Sequence, residues 1–576
     1  MPDTVRRVIE GADAAELDNS GNAAIGRAPL GAWWWAALAA LFAFRLAFGL
    51  SSDFFFEDPT QIFLIGLRYY ATGEWPYFGP DVVWTRSEIP GALQGLVVGV
   101  PLRIVPLPEA PFVVVNVLSM GALAAFAAYL SRRFPTAPRW LLWGWLLTIP
   151  WTLQFSTTVI NPSYVLPAAL LFFIGFFESL SACRLGVISM AAAHVAMGAA
   201  IAWVMQVHLS WPLLAPFALW AWIDTRRAGL RQLLLNAAAF AAGALAVGSL
   251  LLPTVWQYGL DSGHGGTGRN LTFHVVNPWI FVTTLARLLS FASLEIVRFI
   301  STDSAKRLAF FERHLWLAPL AAIVWVAGVL QPLWMLVELI RRRRPDRAFR
   351  ALRWVVIASV ALVYASYSFV IEPPQAHAFY VLAPVAFLYA AYCWSFVDSP
   401  RTRRAAASLL AVNVAFHAGL ALAQAPEKSL YKNRGPVAAA VRFREPEMFA
   451  HRRPFSIGGG PLSLQDPSRP YDPVRDIEVS DVRREGGPAG STEWTATIRN
   501  ANPRVAYRDL LYVTSYRDAG GTLIEERHEV IKDIFEPGTV RAVEVNDGFL
   551  PPFASAAFRI MNAEALLPDA PTAATR

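Results

Sequence analysis

The feature that most constrains this chain is a succession of apolar runs separated by short, arginine-rich loops. Runs of about 17–25 apolar residues cross the roughly 30 Å hydrocarbon core of a bilayer as helices. They fall near 32–50, 111–130, 140–155, 163–180, 185–206, 210–223, 232–253, 315–340, 351–371, 376–397 and 404–424. Composition agrees: 55% of the 576 residues are hydrophobic and 16% are charged, against about 25% charged in a soluble domain. The 21 Trp and 37 Phe suit aromatic belts at the membrane–water boundary. The expected fold class is a polytopic α-helical membrane protein with about eleven transmembrane helices.

The basic residues set the topology. Arg132/Arg133/Arg139, Arg184, Arg226/Arg227/Arg231, Arg341 to Arg344 with Arg347 and Arg350, and Arg401/Arg403/Arg404 flank the runs. Cytoplasmic loops carry such clusters, so successive clusters must be an even number of crossings apart, and the runs satisfy this. The net charge of +7 is thereby read as topology rather than as a nucleic-acid surface. Two further apolar stretches, 90–106 and 274–300, must then begin and end on the outer side, as juxtamembrane or re-entrant helices or short paired spans. This places the N-terminus in the cytoplasm and the C-terminus outside. Residues 1–31 form a polar cytoplasmic tail whose length and acids do not suit a cleaved signal peptide. Cys183 and Cys393 sit in apolar segments without a partner motif, so neither a disulfide framework nor a zinc site is implied.

Composition shifts after the last run. The membrane domain is expected over 32–425 and a linker, rich in Pro, Arg and Gly, over 426–474, with one helix over 436–444. From 475 to 565 the pattern alternates with period two. Trp494, Ala496 and Ile498 share one face, and Leu511, Val513 and Ser515 another. Turn signals stand at Gly486-Gly487-Pro488, Asp518 to Gly521 and Glu536-Pro537-Gly538, as expected for a small all-β sandwich. The segment WTATIRNANPRVAYRDLLYVTSYRDAGGTLI, followed by FEPGTV, resembles immunoglobulin-like domains attached to bacterial envelope proteins.

The first outer loop, 51–110, carries the clearest chemical signal. Glu57 and Asp58 are adjacent acids that follow the first span and three phenylalanines, and desolvating them is costly. Asp58, Pro59 and Gln61 read as a helix start, with an N-cap acid, Pro at the first helical position and a capping-box residue. That helix runs to about Ala71 and stops at Gly73, with Ile62, Ile65, Gly66 and Tyr69 along one face. Asp58 is therefore either a cap or a site acid, while capping leaves Glu57 unexplained.

An acidic pair after the first span, a helix of the form LRYYATGEWPYFGP, and a Pro-led apolar segment resemble the GT-C superfamily of membrane glycosyltransferases. Protein O-mannosyltransferases and lipid A aminoarabinose transferases are among its members. The segment EPPQAHAFYVLAP resembles that superfamily's motif at the outer end of a late helix. The resemblance implies that Glu57 and Asp58 act on, or position, an acceptor hydroxyl. It also implies a polyprenyl-phosphate sugar as donor, with His377 and Tyr380 approaching the donor phosphate or the acceptor. Where many members have Lys-Pro-Pro or Glu-Lys-Pro, this chain has Arg86, Glu88 and Pro90, so Arg86 would supply the cation and Glu88 an acid.

The chemistry of such a transfer stands apart from the name. A carboxylate serves as general base to a hydroxyl, and Arg or His holds the departing phosphate. Outside cations are Arg86, Arg269, Lys306, Arg307, Arg313 and His377. Arg269 lies in DSGHGGTGRNLTFH, which lacks the strand–turn–helix context of a phosphate loop and reads as a lid or as an ordinary exposed loop. No cofactor is expected. A divalent metal on Glu57, Asp58, Glu88, His208, His264, His274 and His377 is the weaker alternative. His194 and His417 read as packed histidines, Asn161-Pro162 as a loop turn, and Arg45 as an arginine snorkelling to the interface.

The resulting expectation is a glycosyltransferase of the bacterial inner membrane, its β domain periplasmic. Its partners would be a polyprenyl-phosphate sugar donor, a lipid, glycan or protein acceptor, and membrane lipids, with no nucleic acid. A transporter or flippase of lipid-linked saccharides is the main alternative, disfavoured by spans nearly free of charge. A surface-glycan ligase and a structural scaffold are the others.

Overall fold

The computed structural model describes residues 32–53, 57–82, 87–226, 229–259, 273, 275–301, 304–341, 347–369, 378–397, 399–430, 473–486, 492–548, 550 and 552–566. The chain divides into a helical unit up to Gly458 and a second unit from Gly459.

In chain order the helices are α1 (Ala32–Ser51), α2 (Glu57–Thr72), α3 (Leu93–Ile104), α4 (Ala110–Arg133), α5 (Arg139–Thr148), α6 (Pro150–Gln154), α7 (Asn161–Ser179), α8 (Met190–Met205), α9 (Ala215–Thr225), α10 (Leu230–Gly248) and α11 (Leu252–Tyr258). They continue with α12 (Trp279–Ser290), α13 (Ile296–Ile300), α14 (Ser304–Arg313), α15 (Ala318–Arg341), α16 (Arg347–Ser366), α17 (Ala383–Trp394) and α18 (Pro400–Lys428). A hairpin of β1 (Phe78–Val82) and β2 (Ser87–Pro90) lies between α2 and α3.

Among the described residues, seven helices are long and apolar enough to span a membrane: α1, α4, α7, α10 continued through α11, α15, α16 and α18. The other four expected crossings are shorter or broken. Pro150 divides 139–154 into α5 and α6, because proline has no N–H for the helix ladder. α8 has 16 residues, and α9 and α17 have 11 and 12. Asn161-Pro162 proves to be the first turn of α7 rather than a loop turn, since Pro is pre-organised at that position.

The described residues of the basic clusters gather at one end of the bundle. Arg133 pairs with buried Glu178 at 3.7 Å, and Glu178 also accepts from the Leu185 and Val187 amides at 3.1 and 3.0 Å. Asp224 accepts from the Ser181 amide at 2.7 Å. The Tyr392 ring meets Phe134 and stacks on Phe349 at 4.6 Å, bringing in the start of α16, and Arg403, at the start of α18, donates to Val397 O just beyond α17 at 3.5 Å. The segment between α2 and α3, the start of α3, the end of α8, and α11 meet at the opposite end, where Thr254 Oγ1 donates to Tyr77 O at 2.7 Å and Gln94 to Val207 O.

The stretch 275–300 does not cross. α12 and the segment Ser293–Ile300 are bent by 102°. Both of its ends sit away from the basic loops, Val276 O accepting from Tyr364 and Ile300 O from Lys428. The tip reaches inward, where Phe291 packs 4.3 Å from Trp145. Phe291 and Ala292 take left-handed backbone, φ 52° and 63°, which side-chain-bearing residues adopt only under tertiary constraint. The tip's carbonyls are served by neighbours, as backbone inside a membrane protein requires: Trp151 N donates to Phe291 O and Gln331 Nε2 to Leu289 O. This is a re-entrant hairpin.

Elsewhere the bundle packs through small residues. Gly198 and Gly243 bring α8 and α10 so close that a Cβ on either would overlap the other helix's backbone. Between α2 and α3 a Cβ on Gly99 would overlap Gly66 O, and one on Gly66 would overlap the Val98 side chain. α2 stops at Gly73 (φ 75°), as expected, but begins at Glu57, so Asp58 lies inside its first turn. It also buries more than one face: Ile62, Phe63, Leu67 and Tyr70 are all enclosed.

The C-terminal unit is a sandwich of two antiparallel three-stranded sheets, after a short α19 (Pro473–Asp476). One sheet has the order β3 (Ile477–Gly486), β4 (Thr492–Asn500), β7 (Val540–Gly548). The other has β6 (Leu523–Phe535), β5 (Ala506–Arg517), β8 (Ser555–Leu566). Trp494, Ala496 and Ile498 point inward together, as their spacing predicts. On β5 the core takes Leu510, Tyr512, Thr514 and Tyr516, the parity opposite to Leu511 and Ser515, although Val513 is also buried. Asp518 Oδ1 accepts the Gly520 and Thr522 amides at the predicted turn, and Gly538 (φ 75°) makes the next.

Candidate functional site

The site is built where α1 ends. Ser52 and Asp53 are buried there, and the Asp53 amide donates to Lys428 O at 2.8 Å. Four residues on, Glu57 and Asp58 open α2, where the helix dipole favours negative charge. Three acids therefore fall within six residues. Asp53 escaped the sequence reading, although an acid at the negative end of a transmembrane helix is itself unfavourable and calls for a reason.

Tyr380, fully buried, precedes α17. Its ring lies 5.1 Å from Trp151 and 5.9 Å from Phe155. Its hydroxyl is beside Ser156 and within electrostatic reach of Arg45, without the geometry of a hydrogen bond to either. Arg45 does not snorkel: it is 0% exposed. Nη1 donates to Leu147 O at 2.7 Å, and Nη2 to Ser156 Oγ at 2.7 Å and to Ser119 Oγ and Ser156 O at 3.3 Å. The reason is the break at Pro150. In an unbroken helix Leu147 O would accept from Trp151 N, but that amide goes to Phe291 O. Arg45 takes the freed carbonyl. Burial of a guanidinium whose two terminal nitrogens are hydrogen-bonded then competes with extension to the interface.

The re-entrant hairpin brings a second charged group. Arg287 Nε lies 2.8 Å from Glu295 Oε1, with Glu295 largely buried. Thr284 and Tyr367 adjoin, their hydroxyls 3.4 Å apart. Charged residues inside a membrane domain are costly and commonly serve a site. The sequence showed both, but the apolar length of 274–300 concealed that they face one another.

Glu88 lies half-buried on β2, its backbone opposite Asp81. Arg86, Arg269 and His377, with His264 and His274, lie outside the described residues, as does the 436–444 segment. The structure thus brings Tyr380 to Arg45 and Asp53 to the end of α18. His208 Nδ1 accepts from the Ser210 amide at 3.0 Å. Among the described residues, no three His, Cys, Asp or Glu side chains are grouped to hold a metal.

No protein-family model matches the chain, and no curated protein matches it. Among solved structures it is similar to the crystal structure of ArnT from Cupriavidus metallidurans bound to undecaprenyl phosphate, at 12% identity and a TM-score of 0.46. The alignment covers 71% of this chain and 79% of that chain.

Proposed function

We propose that the chain is a membrane glycosyltransferase that moves a sugar from a polyprenyl-phosphate donor to an acceptor hydroxyl on the non-cytoplasmic face. The observation that carries the reading is the acid cluster Asp53, Glu57 and Asp58 at the end of the bundle remote from the basic loops. Basic loops mark the cytoplasmic side, which supports reading this end of the bundle as the outward one. There Glu57 is the general base toward the acceptor, and Asp58 positions the acceptor or shares the proton. The leaving group is already a phosphate, so the protein's work is to orient the acceptor, accept its proton and stabilise the departing charge. Arg86, Arg269 and His377 are the proposed phosphate ligands, with Glu88 and Tyr380 lining the donor or acceptor site. The donor's lipid tail stays in the bilayer, because each CH₂ moved into water costs about 0.8 kcal/mol, so substrate enters sideways from the outer leaflet. The β sandwich would be periplasmic in a bacterial inner membrane.

The test is incubation of purified protein in lipid nanodiscs with synthetic polyprenyl-phosphate hexoses and pentoses. Release of free polyprenyl phosphate that depends on an added membrane extract as acceptor supports the reading. Binding of every donor without consumption of any overturns it in favour of a carrier or ligase.

A further inference from the structure

The last membrane helix ends in contact with three parts of the site at once. Lys428 O accepts from the Asp53 amide at 2.8 Å, and Lys428 Nζ donates to Ile300 O, at the end of the re-entrant hairpin, at 2.6 Å. One turn earlier Gln424 Nε2 donates to Phe299 O at 3.2 Å. Just beyond, Leu430 is fully buried in a cluster with Ile62, Phe63, Leu67 and Tyr70 of α2 and Val98 and Leu102 of α3.

This last turn is weak on its own account. Pro426 lies inside it and has no N–H to give to Leu422 O. A helix end containing proline keeps its geometry through tertiary anchors, and here the anchors are Gln424, Lys428 and Leu430. If they release, the carbonyl that holds Asp53 moves with them.

We propose that Lys428 is a positioning residue. Through Ile300 O it keeps the end of α18 helical, and through its own carbonyl it fixes the backbone of Asp53, four residues before Glu57. Leu430 secures α2 by packing against Ile62, Phe63, Leu67 and Tyr70. The assignment of a chemical role to Asp53, Glu57 and Asp58 rests on the glycosyltransferase reading; the mechanical linkage does not.

Hydrogen–deuterium exchange on the full-length protein in nanodiscs tests the linkage without any substrate. Losing a charge-assisted bond to a buried carbonyl shifts a local opening equilibrium by about ten- to a hundredfold. Lys428→Met should therefore speed exchange in peptides spanning 51–72 by about tenfold or more, while peptides from α4 and α7 keep wild-type rates. Lys428→Arg, which can still donate to Ile300 O, should restore protection. If Lys428→Met does not accumulate, Leu430→Ala carries the same expectation. Wild-type exchange at 51–72, a uniform rise across all helices, or no rescue by arginine overturns the proposal. Where transfer is measurable, Lys428→Met should lower kcat about tenfold with donor KM within about twofold, since it displaces the base and leaves the lipid contacts. Absence of transfer by the wild type would count against the glycosyltransferase reading alone.

Discussion

Replacing Arg45 separates a buried guanidinium from a snorkelling one. In Arg45→Met the Leu147 carbonyl loses its side-chain donor. Ser156 O keeps the Ser119 hydroxyl at 2.7 Å, and Ser156 Oγ still donates to Thr152 O. One buried carbonyl is therefore orphaned, costing about 1–3 kcal/mol, partly offset by no longer burying a charge. Arg45→Lys keeps the charge but concentrates its donors on one nitrogen, which cannot serve Leu147 and Ser156 as the guanidinium fork does. Lysine should thus destabilise at least as much as methionine, by roughly 1–3 kcal/mol. Reversible unfolding in mixed micelles, followed by tryptophan fluorescence, measures both. A lysine variant as stable as wild type would refute the reasoning, because an arginine reaching the interface tolerates lysine.

Other substitutions probe other parts of the architecture. At the hairpin tip, Ala292→Gly should leave stability unchanged or raise it, whereas the same change at buried Ala169 within α7 should cost about 1 kcal/mol; equal losses at both would contradict the left-handed tip. Gly198→Val should abolish or strongly reduce folded protein, because even its Cβ would overlap Phe240 O of α10; normal yield and melting would refute the close crossing. In the β domain, Trp494 Nε1 donates to Tyr516 Oη at 2.7 Å and to Asp547 Oδ2 at 3.1 Å, and Tyr516 donates to Asp547 in turn. Burial, helped by that bond to Asp547, holds the Tyr516 phenol above its ordinary range, so it remains a donor. Asp547→Ala should therefore cost about 1–3 kcal/mol by taking away the acceptor of the buried Tyr516 hydroxyl, while Trp494 keeps its bond to Tyr516, read as a lower denaturation midpoint of the full-length protein's β domain; an unchanged midpoint would show the triad to be idle.

What the sequence reveals here follows the range of the interactions involved. The long spans were legible because about twenty apolar residues in a row answer to bilayer thickness alone. The stop of α2 at Gly73 was legible because a left-handed terminus is a local demand. The re-entrant hairpin was bounded from the basic loops, but its bend was not readable: 274–300 is as long as a span, and Phe291 and Ala292 carry no turn chemistry. Their backbone is set by Trp145, Trp151 and Gln331, from other helices. Arg45 was misread for a related reason, its partner carbonyl lying 102 positions away and freed only by the break at Pro150. On β5, period-two spacing identified the strand. The irregular pairing near Asp509, where φ is 50°, accompanies the change of inward parity that spacing alone did not reveal. Asp53 was overlooked beside the more conspicuous Glu57 and Asp58, since only the fold shows it buried against the end of α18.

The most direct measurement is sugar transfer from polyprenyl-phosphate donors by purified wild type, Glu57→Gln and Asp58→Asn, each checked by thermal melting. The account predicts transfer by wild type and a loss of at least about a hundredfold for a normally melting Glu57→Gln, the scale on which a general base contributes. Asp58→Asn then separates a second site acid from a helix-terminal one. Transfer by Glu57→Gln at the wild-type rate would contradict the account at its centre.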